Sequence, residues 1–188
     1  MARITVPEAV FYTRVDLYLD YTRQILLRSE WSTRKRFINR SYPEWAGTIT
    51  IGEPLNEEEG RAIAGWLSGF NGQANTFLLE HQLPTLEDTV SATVASSASR
   101  SDGVLEHTLS GALTDAEVGM AVAAGDKLYQ IRELAGNNVV LDPQRPIPDG
   151  ITVAHSTTVE VRSASPIHPS NPHTPSFWGP WEFQVIEA

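Results

Sequence analysis

Five histidines, His81, His107, His155, His168 and His173, are the first candidates for acid–base or metal chemistry. Their spacing supports neither, since no pair stands as H-x-x-x-H and no H-E-x-x-H occurs. His168 and His173 share a proline-rich stretch, where side chains at loose spacing are solvated or packed on proline. A serine hydrolase needs its nucleophile on a strained elbow, yet G-x-S-x-G is absent and Ser68 falls on an expected helix. Gly69-Phe70-Asn71-Gly72 lacks the lysine and the following helix of a phosphate-binding loop. Asp16 and Asp20 sit at alternate positions of one expected strand. Two close carboxylates serve a glycosidase or a cation, but the same alternation is the solvent face of a half-buried strand. Trp178-Gly179-Pro180-Trp181 brings two indoles into a loop. They would stack on a sugar, or else seal a sheet end or a subunit interface. No set of nucleophile, base and orienting acid emerges, so no enzyme, metal site or cofactor is expected.

Composition narrows the field further. The chain of 188 residues has no cysteine, which excludes disulfides, thiolate metal sites and a thiol nucleophile. The net charge of −9 disfavours a partner held through phosphate contacts. One local exception is the basic run of Arg28, Arg34, Lys35, Arg36 and Arg40. It reads as a protected strand edge or as a patch that meets an acidic surface of a neighbouring subunit. Apolar runs are only a few residues long, far short of the roughly 20 that span a bilayer. The opening Met1-Ala2-Arg3-Ile4-Thr5-Val6-Pro7-Glu8 lacks the apolar core of a signal peptide, so a soluble protein used without export is expected.

These residues need elements to position them, and the pattern is mainly β. Val15, Leu17, Leu19 and Tyr21 alternate with Arg14, Asp16, Tyr18 and Asp20, the period of a strand with one buried face. Gln24–Trp31, Thr48–Ile51 and Ala74–Glu80 read as further strands. One helix is expected at 56–70. Asn56 is its N-cap with Glu59 three residues on, Glu57–Glu59 complement the dipole, and Ala62, Ile63, Trp66, Leu67 and Phe70 form the apolar face. Gly69 and Gly72 mark its stop. Trp66, Phe70 and Phe77 are the expected core anchors. Beyond residue 86 short strands are expected at Thr89–Val94, Val104–Leu109, Lys127–Leu134, Asn138–Leu141 and Thr152–Val161, with a serine-rich loop at 95–103 and room for a helical turn at Ala112–Val118. Turn residues separate them, as in a small barrel or sandwich. Residues 164–176 are proline-rich and extended, and Trp181, Phe183 and Val185 belong to a last strand. An apolar final strand must pair inside a sheet. The expected division is therefore a β-sandwich of 1–85 and 164–188 with the helix packed on it, and an inserted small β-domain at 86–163.

Two stretches carry a family likeness. Trp45-Ala46-Gly47-Thr48-Ile49-Thr50-Ile51, the helix, and Trp66-Leu67-Ser68-Gly69-Phe70-Asn71-Gly72-Gln73-Ala74-Asn75-Thr76-Phe77-Leu78-Leu79 resemble the strand–helix–strand block of minor tail proteins of long-tailed phages. Gly125-Asp126-Lys127-Leu128-Tyr129-Gln130-Ile131, Asn137–Pro143 and Pro148–Val153 resemble a second block of the same tail-tip proteins, with the basic residues after its proline reduced to Arg145. The likeness implies a distal-tail-type structural protein of the virion. Such a protein forms an oligomeric ring, commonly a hexamer, that joins the tail tube to the baseplate or hub proteins and carries a second small β-domain outside. On that expectation Arg28, Arg34, Lys35, Arg36, Arg40, Trp178 and Trp181 are interface residues, and the acidic second half is complementary to the basic run. A head–tail connector or tail-completion protein is the structural alternative. A carbohydrate-binding module using Trp178 and Trp181 is the alternative of another class.

Overall fold

The computed structural model describes residues 2–20, 24–27, 36–39, 43–70, 75–164 and 181–188, with 24–27 and 36–39 as backbone. Its elements in order are β1 (Tyr12–Asp20), β2 (Gln24–Leu27), β3 (Arg36–Asn39), β4 (Glu44–Ile51), α1 (Glu57–Ser68) and β5 (Phe77–Glu80). There follow β6 (Ser91–Ser99), β7 (Leu105–Leu109), β8 (Ala121–Ala124), β9 (Lys127–Ala135), β10 (Asn138–Asp142), β11 (Thr152–Ala154), β12 (Thr158–Ser163) and β13 (Trp181–Glu187). The chain is mainly β with one short helix. It divides into one unit of Met1–Tyr18, Ala46–Leu83 and Ser156–Ala188, and a second of Leu19–Trp45 and Pro84–His155.

The first unit is a curled five-stranded sheet in the order β1-β4-β13-β12-β5. The final strand lies in its middle, with Phe183 opposite Ile49 and Val185 opposite both Gly47 and Ser163. The helix begins where its caps dictate. The Asn56 side chain accepts from the Glu59 N–H at 2.9 Å, and the Glu59 carboxylate accepts from the Leu55 N–H at 2.8 Å. The first bond satisfies a donor that the first turn leaves without a partner, and the second ties the residue before the N-cap to that turn. Gly60, Ile63, Trp66 and Leu67 are buried at helical spacing. The stop differs from the expected glycine device, because Gly69 has φ −68 and is helical rather than left-handed. Trp66, Phe70 and Phe77 of β5 meet one another edge-on, with ring centroids 4.9–5.3 Å apart, and Phe183 of β13 completes the cluster. Such rings contribute large apolar area plus about 0.5–1.5 kcal/mol per well-oriented pair.

The second unit contains a closed barrel in the order β10-β7-β6-β11-β8-β9. Alternate residues point inward, so Val94, Leu109, Val122, Ile131, Val139, Leu141 and Val153 fill it. Gly125 and Gly136 turn the chain into β9 and β10 at φ 66 and 61, a left-handed conformation that glycine adopts without steric cost. The strands β2 and β3 pair antiparallel in a separate two-stranded sheet, Leu26 opposite Phe37.

Several expectations are corrected. The serine-rich stretch is no loop as far as Ser99: β6 continues through it because its backbone ladders onto β7, Ala98 opposite Glu106. Ladder bonds need no apolar side chains. Thr152–Val161 is two strands, β11 in the barrel and β12 in the five-stranded sheet, where Val159 faces Leu79. The expected boundary at 163 therefore moves to 155, since β12 buries Val159 and Val161 beside β5. Ala112–Val118 forms turns, and Ala121–Ala124 is a barrel strand that the reading above did not assign.

Candidate functional site

The structure places the nominated residues as follows. Arg28, Arg34, Lys35, Arg40 and Trp178 lie outside the described residues, as do His168 and His173. Arg36 is the first residue of β3 and pairs with Leu27. Trp181 opens β13 opposite Ile51 and is half-buried. Trp66, Phe70 and Phe77 come together in the aromatic core. Asp16 is exposed and ion-paired to Arg14, while Asp20 is half-buried.

Two polar clusters were not legible from spacing. In the first, His155 Nδ1 lies 2.8 Å from the Thr85 hydroxyl and against the Leu86 carbonyl, and Nε2 lies 2.9 Å from Asp88. Hydroxyl, imidazole and carboxylate stand in the order of a nucleophilic triad. The chemistry does not follow. The Leu86 carbonyl lies against the same ring nitrogen, so Nδ1 is not free to serve as a base toward Thr85. The Thr85 hydroxyl itself donates to Leu86 O. Asp88 is 86% exposed and solvated. The cluster instead fastens residues 85–88 to residue 155, closing the two ends of the stretch 84–155 on each other.

In the second, His107 is completely buried inside the barrel. Its Nδ1 lies 2.7 Å from Ser97 Oγ, which donates its own hydrogen to Ile147 O. The Ser97 hydroxyl must therefore accept, Nδ1 must donate, and Nε2 is left with no partner among the described residues. Burial holds the imidazole below its ordinary value of about 6.5, favouring the neutral ring. The unfolded chain then binds a proton more readily than the folded one. The stability that His107 contributes is complete above about pH 6.5 and is lost as pH falls from there toward the lower folded-state value. Melting temperatures from pH 7.5 down to pH 5 are expected to fall more steeply for the native chain than for His107→Leu. Parallel slopes would refute this.

Outside the barrel, Arg100 donates to Asp102 and Glu133 at 2.7 Å each, which raises the guanidinium's pKa. The hydrogen bond from Arg100, aided by the Val104 N–H, holds Asp102 below the carboxylate range. These carboxylates are occupied by a guanidinium. Among the described residues no group of three His, Cys, Asp or Glu side chains is placed to hold a metal.

A further feature is a groove in the first unit. It has a volume of about 390 Å³ and is lined by Tyr12 and Val15 of β1, Leu78 and Glu80 of β5, and Val6, Val10 and Phe11 of the segment before β1. β1 and β5 are the outermost strands of the sheet, so the groove is its open seam. Phe11 is 71% and Leu78 40% exposed, large apolar surface left in water. The Tyr12 hydroxyl is buried, and burial, with the Glu80 carboxylate second, pushes its pKa up.

The edge of β5 is chemically open as well. The Thr76 N–H donates to Ala2 O at 3.1 Å, and the Ile4 N–H donates to Thr76 O at 2.8 Å. Thr76 thus turns its peptide groups away from β12. Strand alternation turns those of Leu78 and Glu80 the same way. The bond from the His81 N–H to Thr157 O fits this register. Among the described residues, no strand covers the edge beyond Thr76.

No protein-family model matches the chain, and no curated protein is significantly similar to it. The functional reading therefore rests on the seam and on the residues themselves.

Proposed function

We propose that the chain is a structural subunit of a long-tailed phage tail tip, forming an oligomeric ring that joins the tail tube to the baseplate or hub. The observation that carries this reading is the open seam, a strand edge that beyond Thr76 has no partner among the described residues and is flanked by exposed Phe11 and Leu78. Proteins protect bare edges from other chains, and an edge left apolar and accessible is a surface for assembly.

One arrangement adds support. The first stretch of family likeness, residues 45–51 and 66–79, coincides with β4, the end of α1 and β5, and the second, residues 125–153, lies in the barrel unit.

Native mass measurement and electron microscopy of the purified chain test the proposal. One defined oligomer with a ring outline is the expected result. A monomer that persists at high protein concentration would overturn it.

A further inference from the structure

We infer that the segment Ala2–Val6 is exchanged between neighbouring copies, each copy laying it along the β5 edge of the next. The inference rests on the ring reading and names the two surfaces that meet.

The contact is already formed within one copy. Arg3 makes a parallel bridge with Thr76, in which the Thr76 N–H donates to Ala2 O and the Ile4 N–H donates to Thr76 O. A polar latch reinforces it, because the Glu160 carboxylate of β12 accepts from Arg3 Nη2 at 2.7 Å and from the Thr76 hydroxyl. The edge thus recognises this segment by backbone pairing and by charge together, as in strand addition to a sheet.

The segment's sequence suits a longer pairing than this one. Ile4 and Val6 alternate with Arg3 and Thr5 at the period of a strand, three of the four are β-branched, and Pro7, which has no N–H, ends the run. Carried on from Thr76, the parallel register sets Thr5 beside Leu78. The Leu78 N–H would then donate to Ile4 O, and the Val6 N–H to Leu78 O. Ile4 and Val6 would share the face of Phe77 and Leu79, the buried face of β5, with Arg3 and Thr5 on the outer face.

In the single copy the pairing stops at Arg3, among the described residues. The chain leaves β5 after Ile4, turns where the Val10 N–H donates to Pro7 O at 3.0 Å, and enters β1 on the other side of the seam. A segment that comes from a neighbour is free of that tether and can follow the edge to Leu78. Its departure opens no core in the donor copy, since no residue from Ala2 to Phe11 is buried. The bridge and latch lost at home are regained next door, which makes exchange of an identical element a low-cost route to assembly. Because segment and edge are different surfaces, each copy gives one and receives one, a heterologous contact of the kind that generates rings.

The absence of cysteine makes a thiol test clean. One chain carries Thr5→Cys and Leu78→Cys together, both at exposed positions, and keeps Arg3, Thr76 and Glu160. Paired residues on adjacent strands stand about 5 Å apart at Cα, within disulfide range. After mild oxidation, denaturing separation without reductant is expected to show most of the protein as chains linked to one another, and neither single substitution is expected to link. Native mass is measured on the same preparations. Defined oligomers without the link would overturn the exchange and leave the ring standing. A strict monomer would overturn both. A link confined within single chains would place the segment on its own copy and overturn the exchange. Links formed by either single variant would mean that like surfaces meet, and would overturn the pairing of segment with edge.

Discussion

Phe77→Ala is expected to destabilise the first unit by about 3–5 kcal/mol, the usual cost of deleting a buried aromatic ring. Phe77 is fully buried, and three other rings, of Trp66, Phe70 and Phe183, lie within 6.4 Å of it centroid to centroid. They come from the helix, the residues after it and the middle strand of the sheet, so none can move into the void without dragging its element. A loss of that size is a large part of the roughly 5–15 kcal/mol that holds a domain folded. Urea unfolding followed by tryptophan fluorescence is the measurement, because Trp66 belongs to the cluster. A change below about 1 kcal/mol would show that the helix does not seal this face of the sheet.

Gly47→Ala is the second large effect, and its cause is different. Gly47 lies in β4, where a Cβ would stand 2.3 Å from the Asp16 carbonyl oxygen and 2.8 Å from Leu17 Cδ2. Real side chains do not approach a carbonyl that closely. The obstacle is backbone, so a rotamer change cannot relieve it and β1 must shift. The expected cost is about 1–3 kcal/mol, typical of overpacking. Hydrogen exchange should report it locally, with faster exchange in Tyr12–Asp20 and little change in the barrel amides. Unchanged protection of β1 would mean that the strand tolerates displacement and that Gly47 is not what seats it.

The sequence made some of this visible and hid the rest for physical reasons. The helix was legible because its signals are local: the Asn56–Glu59 cap and the spacing of Ile63, Trp66 and Leu67 depend only on near neighbours. The alternation of Trp181, Phe183 and Val185 announced the last strand in the same way. Sheet membership is not local. Thr152–Val161 reads as one run, and only the partners of Val153 and Val159 separate the barrel from the five-stranded sheet. The serines of β6 carry no period, because that strand is held by its backbone. The seam was illegible too, since an open edge is a property of which strands are neighbours. His155 and Asp88 meet across 67 positions without any motif to announce them.

The order of strands has a consequence for how the chain folds as it is made. The barrel strands occupy one continuous run, residues 91–154, and their ladders join only one another, with a single bridge from Ala121 back to Thr85, so the barrel can form soon after that run leaves the ribosome. The five-stranded sheet cannot. Its middle strand is residues 181–187, and until these are synthesised β4 and β12 have no partner between them. The early half of the sheet, with its aromatic face, therefore waits through the translation of about a hundred residues. During that interval Ile49, Phe77 and their neighbours are exposed to other nascent chains, and pairing at such long range is slow. Closure of this sheet thus depends on a strand made about a hundred residues after β5, which enters the centre.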